Sequence, residues 1–206
     1  MNETEHSHLM LERILTSAQK LFGHYGLSKT TMNNIADDIG ISKASLYYYF
    51  KDKENVFIAV AEKEQEYFVQ EMKKKIDSTN KSELVLIGYV DLRLRLLKKL
   101  LTLGKFSQGN YSEVKPLLAT TMRKFRLEEM KMIADIIREG VNRKEFSVKQ
   151  IDKHAEFFIN TLRSIRQMTV TDYTESGTIE ISPEKYRKLI QQSKMFTELF
   201  IKGISV

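Results

Sequence analysis

Only two prolines, Pro116 and Pro183, interrupt 206 residues in which apolar side chains recur mostly at spacings of three and four. Proline breaks helices more reliably than any other residue, and alternating Val-rich runs that would mark strands are scarce. The pattern therefore predicts an all-α fold of long helices. From Leu9 to Tyr25, the residues Leu11, Ile14, Leu15, Ala18, Leu21 and Phe22 draw one apolar stripe, and Gly26 can end the helix at positive φ. Two short helices are expected next. One runs over Thr31–Ile39, capped by Thr30 or Thr31 and closed by Gly40; the other runs over Ser42–Phe50, capped by Ser42. Helices this short bury too little by themselves, so they must pack on the first as a three-helix unit.

Asp52 is a suitable cap for a fourth helix over Lys53–Asp77, which links that unit to the rest of the chain. After the polar break Asp77–Ser82, a fifth helix carries Ile87, Val90, Leu94, Leu97 and Leu101 on one face. The stretch Gly104–Ser112 reads as a loop, with Pro116 in the first turn of a helix that runs to Asn142. Ser147-Val-Lys-Gln150 has the form of a capping box opening a helix to Val170. The polar stretch Thr171–Ile181 reads as a loop, and Ser182-Pro183 starts the last helix.

Much chemistry is excluded at this stage. The absence of cysteine removes disulfides, thiolate metal sites and cysteine nucleophiles, and fits a reducing, cytoplasmic setting. The most apolar stretch, Leu84–Leu103, is broken by Asp91, Arg93, Arg95, Lys98 and Lys99, and Met1–Met10 lacks the signal-peptide pattern, so no membrane role is expected. His6 and His8 lie in a polar terminus, and Asp37 and Asp38, being adjacent, face different sides of a helix. No phosphate loop, nucleophile elbow or HExxH is present. Neither an enzyme nor a bound metal or cofactor is expected.

The informative stretch is Thr30–Lys53. Ile35, Ala36 and Ile39 give the first short helix an apolar side, Gly40-Ile41 makes a tight turn, and Leu46 and Phe50 form the buried stripe of the second. Its other face offers Lys43, Ala44, Ser45, Tyr47, Tyr48 and Lys51. This is a helix-turn-helix pattern, whose second helix can enter a major groove and present hydroxyls and cations to phosphates and base edges. At about 100° per residue, Tyr47 and Tyr48 can reach a nucleic acid while Tyr49 turns aside.

These residues, with Ile14, Ala18, Leu21, Phe22, Gly26, Thr30-Thr31 and Lys51-Asp-Lys53-Glu54, make Leu9–Phe57 similar to the DNA-binding domain of the TetR family of bacterial transcriptional repressors. The resemblance implies phosphate contacts from Thr31, Ser42, Lys43, Tyr47, Tyr48 and Lys53, and base contacts from Ala44, Ser45 and again Tyr47. Ala44 stands where the family most often has glycine, which adds a methyl group to the reading face. Tyr49 stands where histidine is frequent. The resemblance also implies a helix-turn-helix domain over 1–52 joined to a helical effector-binding and dimerisation domain over 53–206. The implied function is a repressor that binds a palindromic double-stranded operator as a homodimer and is released by a small molecule. An all-helical effector-binding or scaffold protein without specific DNA binding is the alternative.

For the effector, Tyr67, Phe68, Tyr89, Phe106, Tyr111, Met122 and Phe125 are the aromatic and Met candidates, although a Met or aromatic stripe at helical spacing is more often core than ligand site. Arg93, Arg95 and Arg123 could hold an anion. For the dimer, Phe158, Leu162 and Ile165 on one late helix and Leu189, Phe196, Leu199 and Phe200 on the last form stripes suited to helix pairing, or to closing the subunit's own core.

The net charge of +6 is unevenly placed. Residues 1–60 hold six Lys and Arg against seven Asp and Glu, a net of −1, so the surplus lies in the remainder. Binding to DNA should thus rest on local lysines, hydroxyls and helix N-termini. Titrations across salt concentrations should give a slope of log K against log salt shallower than that of a strongly basic domain.

Overall fold

The computed structural model describes residues 3–79, 81–99, 108–170 and 182–206. Their helices are α1 (Glu3–Lys29), α2 (Met32–Ile39), α3 (Lys43–Tyr49), α4 (Lys53–Asp77), α5 (Ser82–Lys99), α6 (Gln108–Asn142), α7 (Ile151–Val170) and α8 (Pro183–Ile204). The all-α expectation is met.

Helix α1 starts earlier than the apolar stripe suggests, because no Gly or Pro stands in Glu3–Leu9 to prevent it. Gly26 breaks it at φ 80, ψ 169, a conformation that only glycine adopts without strain, and Leu27–Lys29 form a separate last turn. The Thr30 hydroxyl, itself buried, donates to the Gly26 carbonyl at 2.8 Å and closes the corner. Thr31 caps α2 in a reciprocal capping box with Asn34, and Gly40 ends it in the left-handed region at φ 69, ψ 38. Ser42 and Asp52 cap α3 and α4, accepting the amide N–H of Ser45 at 3.0 Å and of Asn55 at 2.8 Å.

The apolar side chains form two clusters. The first gathers Ile14, Ala18 and Phe22 of α1, Ile35 and Ala36 of α2, Leu46 of α3, and Val56, Phe57, Val60 and Ala61 of α4, with Phe22 and Phe57 edge to face at 5.3 Å. Leu118 of α6 completes it. The second begins farther along the same α4, at Phe68 and Met72, and is filled by α5, α6, α7 and α8. Polar ties reinforce the α1–α4 contact: Lys63 bonds Glu12 at 2.6 Å, and Gln19 donates to the buried Glu64 at 2.9 Å.

Two further boundaries differ from the sequence expectation. Residues 108–112 are helical, which places Pro116 in the interior of α6 instead of its first turn. Gly104–Ser107 lie outside the described residues. The expected cap at Ser147 does not open α7, which begins at Ile151. The Ser147 amide donates instead to the Ile204 carbonyl at 2.6 Å, beside an antiparallel bridge between Phe146 and Ser205. The expected loop Thr171–Ile181 and Leu101 also lie outside the described residues.

The second core encloses one carboxylate. Glu129 is fully buried; its Oε1 accepts the Tyr89 phenol at 2.6 Å and pairs with Arg93, while its Oε2 has no hydrogen-bond partner among the described residues. Burial pushes the Tyr89 phenol above its ordinary pKa, against the pull of Arg93 and Arg163, which keeps the phenol a neutral donor. Removing one member of such a pair strands the other. Arg93→Met should therefore cost about 3 kcal/mol in urea unfolding, and adding Glu129→Leu should recover most of that loss.

Candidate nucleic-acid interface and ligand region

Helix α3 is held by a single fully buried side chain. Leu46 is 0% exposed within the first core, Tyr49 and Phe50 are half-buried against it, and the remaining residues face solvent. The expected reading face is thus presented together: Lys43, Ala44 and Ser45 are exposed, Tyr47 is 45% exposed and Tyr48 83% exposed. The Lys43 ammonium sits 5.8 Å from the Tyr47 ring centroid, a cation–π contact one helical turn apart. Tyr49 turns back as its rotation demands and meets Tyr48 edge to face at 5.3 Å. The Ser42 and Ser45 hydroxyls share a hydrogen bond of 2.8 Å.

Thr31 is exposed at the start of α2, and its hydroxyl donates to Asn34 Oδ1 at 2.7 Å. Lys51 is exposed. Lys53 is largely committed within the fold, because its ammonium donates to the Leu27 and Ser28 carbonyls at 3.0 and 3.3 Å. It thereby satisfies the end of α1 and retains one N–H for an outside acceptor.

Several residues that set the pose of α2 were not picked out from the sequence. Arg13 donates to the Ile39 carbonyl at 2.7 Å, and Asp38 accepts from Ser17 at 2.7 Å and from Lys20 at 3.1 Å. The Ser17 hydroxyl, with help from Lys20, holds the Asp38 carboxyl below its usual pKa. Only Asn34 had a local signal, as an amide three residues after a Thr cap.

The aromatic ligand candidates are a closed core. Phe68, Tyr89 and Phe125 are buried and packed edge to face, at 5.7 Å for Phe68–Tyr89 and 5.5 Å for Phe68–Phe125. Met122 packs against the first core, and Tyr67 is partly exposed. Phe106 and the Tyr111 side chain lie outside what the structure describes. A cavity of about 600 Å³ lies elsewhere, between α4, α5 and α8, and none of the described candidates lines it. Of the three arginines, Arg93 is taken by Glu129, Arg123 is exposed, and Arg95 borders that cavity.

Most of the dimer candidates face inward in the protomer. Phe158, Leu162, Leu189 and Phe200 are buried in its core, and Ile165 and Phe196 are packed against that core. Leu199 is exposed. The apolar surface of α7 and α8 that faces outward is Phe157, Met168, Met195 and Leu199. Periodicity located buried stripes, and the stripes bury against each other.

The family model for bacterial regulatory proteins of the tetR family matches residues 14–60, which spans the helix-turn-helix and the start of α4. The HTH-type transcriptional repressor Rv1474c of Mycobacterium tuberculosis is 32% identical over 68 residues, 32% of this chain; the match spans only 36% of that repressor's length. A TetR transcription regulator from Haloarcula marismortui shares the fold at 18% identity, with a TM-score of 0.67 over 92% of this chain and 96% of its own. A crystal structure of a transcriptional regulator from Cytophaga hutchinsonii aligns over 96% of this chain and 99% of its own, at 38% identity and a TM-score of 0.84. Relatedness along the whole chain, added to the family match over the three-helix unit, makes this protein a member of the TetR family of bacterial regulatory proteins.

Proposed function

We propose that the chain is a transcriptional regulator that reads a palindromic operator as a homodimer and is released from it by a small-molecule effector. The observation that carries this reading is α3 itself. A seven-residue helix anchored by one leucine leaves its hydroxyls, its lysine and two tyrosines on one open surface beside the capped N-terminus of α2. Backbone N–H groups at both helix starts suit phosphates, and Ala44, Ser45 and Tyr47 suit base edges. Residues 1–52 would form the reading domain and residues 53–206 the effector-binding and dimerisation domain, with α4 crossing between their cores. No helix among the described residues is long and apolar enough to cross a membrane.

For pairing, Phe157 and Met168 of α7 and Met195 and Leu199 of α8 are the exposed apolar side chains that a second copy would cover. The two recognition helices of a dimer must match half-sites about 34 Å apart or a multiple of that distance. A small displacement of α4 then costs contacts at both half-sites. A coupling of about 1–3 kcal/mol between effector and DNA gives a 5- to 150-fold switch.

Selection from a random duplex pool should enrich one palindromic sequence. Tyr47→Ala should weaken its binding at least about tenfold at fixed salt, the loss of one good direct contact, and leave non-specific binding nearly unchanged. Binding no better than to random duplex, or an unchanged Tyr47→Ala titration, would overturn the reading. Leu199→Glu should shift sedimentation toward monomer and remove the preference for palindromic over half-site DNA; an unchanged dimer would exclude this face.

A further inference from the structure

The cavity between α4, α5 and α8 is built from aligned helix faces. On α5, Gly88, Asp91, Leu92 and Arg95 follow at steps of three, one and three, so they share one side of the helix. The C-terminal half of α4 and the first half of α8 supply the other walls. Its volume of about 600 Å³ lies in the range of small-molecule sites.

Charge around it is incompletely matched. Glu71 is taken by Lys74 at 2.7 Å, and Asp91 is taken by Lys194 of α8 at 3.2 Å. Both carboxylates that line the cavity are thus neutralised. Lys75 and Arg95 line it with no carboxylate in ion-pair range among the described residues.

The Lys75 side chain is also held in an unusual way. Its Cγ, Cδ and Cε pass within 2.9, 3.1 and 2.3 Å of the point that a Cβ on Gly88 would occupy. The stem lies across the bare backbone of α5, and any larger residue at 88 would displace it. Arg95, two turns farther along α5, lines the same cavity. Leu92 and, from α8, Ile190 line it too and give it an apolar wall.

We propose that this cavity binds an anionic amphiphile, its single anionic headgroup held by Lys75 and Arg95 and a short alkyl chain laid along Leu92 and Ile190, and that this ligand is the effector of the regulator. The effector role rests on the regulatory reading above; the binding site does not. Coupling would run through α4, which carries Lys75 near one end and shares the first core with Leu46 of α3 near the other.

Calorimetric titration of the full chain with octanoate, octyl phosphate, octylamine and inorganic phosphate tests the site. Both octyl anions should bind saturably, whereas octylamine and inorganic phosphate should not bind at the same concentrations. Lys75→Gln and Arg95→Gln, both at exposed positions, should each weaken octanoate binding about tenfold, the loss of one charge-assisted contact. Gly88→Ala keeps every charge and should also weaken binding, by moving the Lys75 stem. Melting curves establish that the variants are folded. Octanoate should lower affinity for the selected duplex in the parent protein and not in the Lys75 or Arg95 variant.

Failure of the octyl anions to bind, or binding indifferent to both substitutions, would overturn the site. In that case specific duplex binding would still leave the regulatory reading intact. Binding that depends on Lys75 and Arg95 but leaves duplex affinity unchanged would overturn the effector role. Inorganic phosphate binding as well as octanoate would overturn the amphiphile.

Discussion

One helix belongs to two cores, and the rest of the fold is arranged around that fact. Helix α4 runs 25 residues, about 37 Å at the usual rise, without a glycine or proline. Val56, Phe57, Val60 and Ala61 near its start are covered by α1, and Phe68 and Met72 beyond them are covered by the second bundle. The hydrophobic burial at each end is what keeps the short helices α2 and α3 and the long helices α5–α8 on a common frame. Along α4, the ion pair from Lys63 and the Gln19–Glu64 bond fall between Ala61 of the first cluster and Phe68 of the second.

The three-helix unit was legible because its signals are local. Thr31, Ser42 and Asp52 each cap the helix that follows, and Gly26 and Gly40 take the positive φ that a reversal requires. Leu46 was readable as the inward residue of α3, which fixed Tyr47 and Tyr48 outward. Lys53 was not fully readable, because its bonds to Leu27 and Ser28 depend on where the end of α1 comes to rest. The same holds for Asp38, whose partners Ser17 and Lys20 lie on another helix.

In the second unit, local rules lost to distant ones. Ser147 through Gln150 has the composition of a cap, but the Ser147 amide is claimed by Ile204, and the helix opens later. Pro116 suggested a helix start, yet α6 tolerates it in its interior. Apolar periodicity on α7 and α8 found residues that must be buried, and could not say whether the cover would come from the same chain or another. Phe157, one position from Phe158, is left outward, and so is Leu199, which the α8 stripe already included.

The serine pair at the head of α3 has an effect that concerns matching instead of strength. Either the Ser42 or the Ser45 hydroxyl can be the donor in their mutual bond, so the pair can run in both directions with no heavy atom moved. Run one way, Ser42 keeps its proton in the pair and Ser45 has one to give; run the other way, the roles exchange. In the DNA-reading role proposed for α3, two different edge patterns would then be met at similar energy. A population of related target sites could share one regulator, ranked by the contacts around this pair and tolerant at it.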